Sequence, residues 1–355
     1  MHDVLKGVLQ YEMKLMLKHM ISVENYFSLD ILNTRLESIE LSGTESKSRP
    51  TCISPSNMNS GGNTLKQSAS QMWLLGRILP LVIGEHVPDD DERWILFLCL
   101  MDIVDLLFAP TTSEDHAVYL SSLINDHHGD FVCLYPDASV LPKFHFMVHM
   151  GRFMIKFGPL VHHWTMRYEA KHSYFKQLAQ SMGNFVNAPY SLAMRHQLYQ
   201  CYLNLNGNDL PGWTHAQNVE AGPGVVVSDE LPEFTDLLGH PVLSIYRCKW
   251  VKVNNEEFKI SSGVIVGVKH DLPIVGVICQ INIINGDTVI FSVDHYDTSF
   301  EPHYRAYILD ETSFCSANIF HSNLFIQNSV HIRTSHVYEL SGTFVILPFS
   351  LCVAV

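Results

Sequence analysis

Two imidazoles four residues apart, His145 and His149, are the side chains whose type and spacing most directly suggest chemistry. On a helix that spacing puts both on one face, within reach of a single metal ion. The sequence holds 20 histidines in 355 residues, so such pairs also arise by chance, and a metal would need further ligands. Three metal chemistries can be tried on the surrounding residues. A zinc protease needs H-E-x-x-H, because the glutamate serves as general base beside the metal, and here Phe146 occupies that place. A di-iron carboxylate site needs E-x-x-H twice plus two more glutamates, and Glu169 with His172 supplies it once. A DNA nuclease or strand transferase needs two or three carboxylates that hold two divalent cations, which activate the attacking oxygen and stabilise the leaving one. Such a carboxylate belongs on a rigid element in a locally positive setting, and Glu169 fits that description.

The setting is unusual for this chain, whose net charge is −13. Residues 141–200 carry seven basic residues (Lys143, Arg152, Lys156, Arg167, Lys171, Lys176 and Arg195) against the single acid Glu169, a net of +6. The remainder carries 16 basic and 35 acidic residues, a net of −19. An acidic surface overall argues against nucleic acid coating the whole protein, while a confined basic segment allows a local anion-facing surface. The same charges also fit a solvated helix face.

The order of these motifs resembles one protein family. The run Leu141-Pro142-Lys143-Phe144-His145 with His149, then Phe157-Gly158-Pro159-Leu160, then Arg167-Tyr168-Glu169-Ala170-Lys171-His172 is similar to the C-terminal part of the catalytic region of CACTA-like (En/Spm-type) DDE transposases. There the order is P-K-x-H-x-x-x-H, F-G-P-L, and F-E-x-K or a close variant; Tyr168 replaces the commoner Phe. Met1-His2-Asp3-Val4-Leu5-Lys6-Gly7 resembles a motif that precedes this region, and Lys66–Ala69 and Arg77–Leu81 look like the same transposon proteins. The resemblance covers roughly residues 1–205.

The resemblance implies an RNase H-like fold with a helical insertion before the last catalytic acid. Glu169 would be the third catalytic carboxylate, working with Mg²⁺ or Mn²⁺ in the complete enzyme. His145 and His149 would be structural Zn²⁺ ligands, since related antigen-receptor-type recombinases place a histidine pair about twenty residues ahead of the final glutamate. Arg167 and Lys171 would contact DNA phosphates. The partner implied is transposon-end DNA, in the nucleus, with a homo-oligomer left open. The family's first two catalytic aspartates and its C-x-x-C lie upstream of the Met1-His2-Asp3 motif, in which this chain begins. A truncated, transposon-derived protein that does not cut DNA unaided is therefore expected. The alternative is a domesticated, non-catalytic interaction protein.

The elements that must position these residues follow from periodicity. Apolar residues at helical spacing predict helices over His2 to about Met20, Val23–Ile39, Leu65–Leu79, Glu92–Phe108, Ser113 to about Asn125, Phe144–Phe157, Tyr168 to about Ala179, and Tyr190–Asn204. Gly158-Pro159 stops the helix carrying the imidazole pair. Residues 41–64, rich in Ser, Gly, Asn, Pro and Thr, are expected to form a flexible loop. Residues 206–240, rich in Gly, Pro and acids, are expected to link residues 1–205 to a β-rich domain over 241–355. Short runs there (Val242–Val253, Ser262–Val268, Pro273–Ile284, Val289–Val293, Ala306–Leu309, Val345–Leu347) suggest a small β-barrel or sandwich. The fold class is thus α+β, mostly helical first and β-rich after. His295, His303, His321, His331 and His336 follow no ligand spacing and are expected to be surface or internally satisfied residues.

Composition sets the frame. An apolar fraction of 47% and a charged fraction of 17% suit a globular protein. The eight cysteines (52, 99, 133, 201, 248, 279, 315 and 352) form no C-x-x-C pair and are spread evenly, as in a reduced intracellular protein. No signal-peptide pattern is seen. The most apolar run, Trp94 to Ala109, is interrupted by Asp102 and Asp105, so a buried helix and no membrane partner are expected.

Overall fold

The computed structural model describes residues 2–41, 43–183, 186–205, 219–227, 231–239, 242–254, 256–337 and 340–351. A helical N-terminal region is followed by a β-rich C-terminal region. The helices are α1 Leu9–Ser22 (entered through a π-helical turn, Val4–Val8), α2 Leu29–Ser38, the short α3 Gly43–Ser46 and α4 Pro55–Asn59, α5 Ala69–Ile83, α6 Glu92–Phe108, α7 Glu114–Leu134, α8 Pro142–Val148, α9 Met150–Phe157, α10 Met166–Met182, α11 Ala188–Leu205 and α12 Leu231–Leu238. The strands are β1 Val219–Ala221, β2 Gly224–Val227, β3 Ile245–Cys248, β4 Trp250–Val253, β5 Glu256–Lys259, β6 Gly263–Lys269, β7 Leu272–Ile284, β8 Thr288–Tyr296, β9 Thr298–Glu301, β10 Ala306–Leu309, β11 Cys315–Phe320, β12 Ile326–Val330, β13 Arg333–Val337 and β14 Leu340–Val345.

Two compact units result, one of residues 1–163, 261–279 and 291–355, the other of 164–260 and 280–290. Local chemistry starts the helices of the first unit. Ser68 and Gln71 cap α5 reciprocally, Ser113 and His116 do the same for α7, and the Asp91 carboxylate accepts from Trp94 N at 2.8 Å to open α6. Pro142 occupies the first turn of α8, where its missing N–H costs nothing. The core is built on α1 and α6. Leu5, Leu9, Met13, Met16 and Leu17 are fully buried, as are Trp94, Phe97, Leu100 and Met101. Most of α6 is buried, as a helix this rich in apolar residues must be in water, with Glu92, Ile95 and Asp102 left exposed. No helix among the described residues is long and apolar enough to cross a membrane.

The strands of this unit form open sheets among the described residues. One has the order β13-β14-β10-β9, all antiparallel. β6 pairs antiparallel with β12 and with the first part of β7, with a register shift between Ile265 and Gly267. Ile265, Val275, Leu309, Ile326, Val330 and Val345 close over a common apolar core. The second unit holds the helices α10 to α12, the sheet β1-β4-β5, and β2-β3 paired on to residues 281–284 of β7. Val242–Val253, expected as one strand, is two: β3 and β4 part at Lys249 and pair with different partners.

The two acids that interrupt the apolar run of α6 have a specific task. Arg305, which precedes β10 and whose side chain is 11% exposed, donates to Asp102 and, at 2.6 Å, to Asp105. Burial works against the guanidinium charge, but the two carboxylates outweigh it and raise its pKa. Removing one partner of such a pair leaves the other charged and buried. Arg305→Ala should therefore lower the unfolding free energy by about 3 kcal/mol in urea titrations followed by circular dichroism; a loss within ~0.5 kcal/mol would mean the tie is not structural.

Candidate functional site

The stretch that carries His145 and His149 is positioned from beneath by α7 and from one side by the start of the chain. Phe144 and Met147, one turn apart on α8, are fully buried. The Phe144 ring lies 4.5 Å from that of Phe131 on α7. With this face turned inward, His145 and His149 point outward and are exposed. The helix expected over Phe144–Phe157 breaks at the second of them: His149 is both the last cap of α8 and the first cap of α9. The break still brings the imidazoles together. Their Nε2 atoms are 3.4 Å apart, and the rings meet edge to face with centroids 4.9 Å apart.

Lys143 ties the same segment to the first residues of the chain. Its Nζ donates to the carbonyls of His2 at 3.0 Å and Lys6 at 3.4 Å. Those carbonyls lie just before and within the π-helical turn Val4–Val8. Gly7 makes the approach feasible, because a Cβ there would stand 2.4 Å from Lys143 Cδ. α9 docks equally closely on α7: a Cβ on Gly151 would meet Ser121 Oγ at 2.0 Å and the Ala117 carbonyl at 2.6 Å.

Below the exposed pair runs a buried polar chain that the sequence does not announce. His128 Nε2 is 2.8 Å from the Phe144 carbonyl, which can only accept, so this nitrogen carries hydrogen. Burial lowers the His128 pKa, with the Phe144 carbonyl opposing and His127 reinforcing, so the ring is neutral and its Nδ1 accepts. Nδ1 of His127 lies 3.2 Å away and is the donor. On the far side of the same ring, His127 Nε2 sits 2.9 Å from Glu12 Oε2, with both side chains at most 1% exposed. That last contact lies off the hydrogen-bond direction and is electrostatic in character. Burial raises the Glu12 pKa, while the attraction of His127 pulls it back. Glu12 and His127 thus face each other as an electrostatic pair in the dry interior, where a lone charge would be heavily penalised.

The other residues singled out in the sequence are placed as follows. Arg167 and Glu169 lie on α10, but their side chains fall outside the described residues. Lys171 is exposed on the same helix, its Nζ 4.9 Å from the centre of the Tyr174 ring. Among the described residues no group of three His, Cys, Asp or Glu side chains is arranged to hold a metal ion. Two imidazoles could supply at most two of the four ligands of a tetrahedral zinc site, and the described residues do not complete one. Of the β-region histidines, His303 is buried and satisfied, bonding the Gly84 carbonyl at 2.9 Å and Trp94 Nε1 at 3.2 Å. A cavity of about 260 Å³ is lined by Arg77, Asp102, Asp105 and Arg305, charges that already pair within the protein.

Compared with protein-family models, with curated proteins and with solved structures, the chain matches none.

The buried chain has a measurable consequence. Glu12→Ala removes the partner of the fully buried His127 ring and should destabilise the protein by about 3 kcal/mol. Glu12→Gln, which keeps the shape, should cost less. Urea unfolding of both variants is the check, and equal, negligible losses would show that the pair contributes nothing to holding α1 on α7.

Proposed function

We propose that the chain is a transposon-derived protein related to the C-terminal part of a DDE transposase catalytic region, and that it associates with DNA in the nucleus. One observation carries this reading: separate stretches of the resemblance meet in space. The Lys143 ammonium of the Pro142-Lys143-Phe144-His145 run is lodged against Gly7 and the carbonyls of His2 and Lys6. From that seat the run converges two imidazoles at its end. Accidental matches at unrelated positions would have no reason to pack together.

On this reading α10 is the last catalytic helix of an RNase H-like domain, and Glu169 is its carboxylate. Mg²⁺ or Mn²⁺ would supply the strand-transfer chemistry in the complete enzyme. His145 and His149 would contribute to a structural zinc site whose other ligands come from elsewhere. Arg167 and Lys171 would hold phosphates. A single carboxylate cannot position two cations, so residues 1–355 by themselves bind DNA without cutting it. A second reading, a domesticated interaction protein, is favoured by the exposed aromatic rings of α8 and α9, a face suited to holding a partner.

DNA binding and cleavage test the proposal together. The purified chain should bind duplex DNA at low salt, and Arg167→Gln with Lys171→Gln should weaken that binding and reduce its salt dependence. Supercoiled plasmid incubated with Mg²⁺ or Mn²⁺ should remain intact. No duplex binding, or binding indifferent to the double substitution, overturns the DNA reading. Nicking that disappears in Glu169→Gln would instead show that the chain is a competent enzyme.

A further inference from the structure

The outward face of α8, α9 and the 3₁₀ turn Leu160–His163 carries a row of rings that strand transfer does not use. His145, His149, Phe153, Phe157 and His163 follow one another with centroids 4.9, 6.3, 6.1 and 5.9 Å apart. All five are exposed, Phe153 to 44% and Phe157 to 52%. A phenyl ring left in water forgoes the burial that drives folding, so two in succession mark a surface to be covered. Gly151 is what turns them outward, because its missing side chain lets the opposite side of α9 press against α7.

The charge on this face narrows what can cover it. From Pro142 to His163 there are three cations, four imidazoles and no carboxylate. Arg152 and Lys156 are exposed among the rings, and Lys156 Nζ lies 5.2 Å from the centre of the Phe157 ring. Successive rings are inclined by 41° to 88°, so they do not stack on one another and keep faces free. An apolar protein surface would require the rings alone. Rings in series with cations between them and no acids match a polyanion with a flat apolar group at each repeat.

We infer that this face is a platform for single-stranded DNA, with bases stacking on Phe153 and Phe157 and phosphates paired by Arg152 and Lys156. That the polymer is DNA rests on the function proposed above. That it is single-stranded rests on the rings, since bases paired in a duplex have no free face to offer.

Fluorescence anisotropy with the full chain decides the matter, using labelled oligothymidylate of about 16 nucleotides, a duplex of equal length, and oligouridylate. Oligothymidylate should bind about tenfold tighter than the duplex, and Phe153→Leu and Phe157→Leu should each weaken it about tenfold. Phe153→Tyr, which keeps the ring, should bind as the parent does. Circular dichroism shows that the variants fold, as exposed positions should allow. Duplex binding at least as tight as the single strand overturns the inference. So do leucine variants equal to the parent, which indicate an apolar protein-docking face, and oligouridylate binding tighter than oligothymidylate. If single-strand binding ignores the rings while duplex binding still depends on Arg167 and Lys171, only this inference falls; if both are lost, the DNA reading falls with it.

Discussion

The arrangement of the imidazole face depends on one carboxylate that has no access to water. Glu12 and His127 lie in the dry space between α1 and α7 as a pair 2.9 Å apart, because either group alone there would be heavily penalised. That constraint propagates. With His127 donating from Nδ1, His128 must accept at Nδ1 and present Nε2–H to the Phe144 carbonyl. The carbonyl belongs to the residue before His145, so the chain of contacts ends at the base of the exposed pair. Apolar packing of Phe144 against Phe131 fixes where α8 lies. The hydrogen-bond chain adds direction, which apolar contact by itself does not supply.

Two further polar ties within the first unit have the same character. Arg305 answers the acids of α6, and His303 caps the carbonyl of Gly84 while accepting from the indole of Trp94. The acids of α6 look like interruptions of an apolar stretch along the sequence and are a junction in space. A buried polar group is tolerated when a partner meets it, and here the partners lie some two hundred residues away.

This explains what could be read from the sequence and what could not. α6 was legible to the residue, Glu92 to Phe108, because its apolar run, its Asp91 cap and its end are all local signals. β7 was legible within a residue for the same reason. The break at His149 was not, because the apolar period continues through it from Phe144 to Phe157. α7 runs to Leu134, past the expected end near Asn125, because its later turns are polar outward and held by packing. β11 to β13 were missed because Ser, Asn, Gln and Thr fill them, as suits strands with exposed positions. Within 206–240, expected only to link, β1, β2 and α12 are formed. Of the site, the convergence of His145 and His149 followed from their spacing. The Glu12–His127–His128 chain could not be foreseen, since nothing near Glu12 in sequence announces a partner on α7.

Residues 41–64 would be the natural choice for anyone wishing to shorten the protein or thread an affinity tag through it. Their composition is that of filler. Yet Glu45 in this stretch takes Arg77 of α5 on one oxygen at 3.0 Å and Arg333 of β13 on the other at 2.7 Å. Excising the stretch would leave two guanidinium groups, at most 10% exposed, facing each other with nothing between them. The stretch works as a keystone, and the editable positions of this protein have to be sought elsewhere.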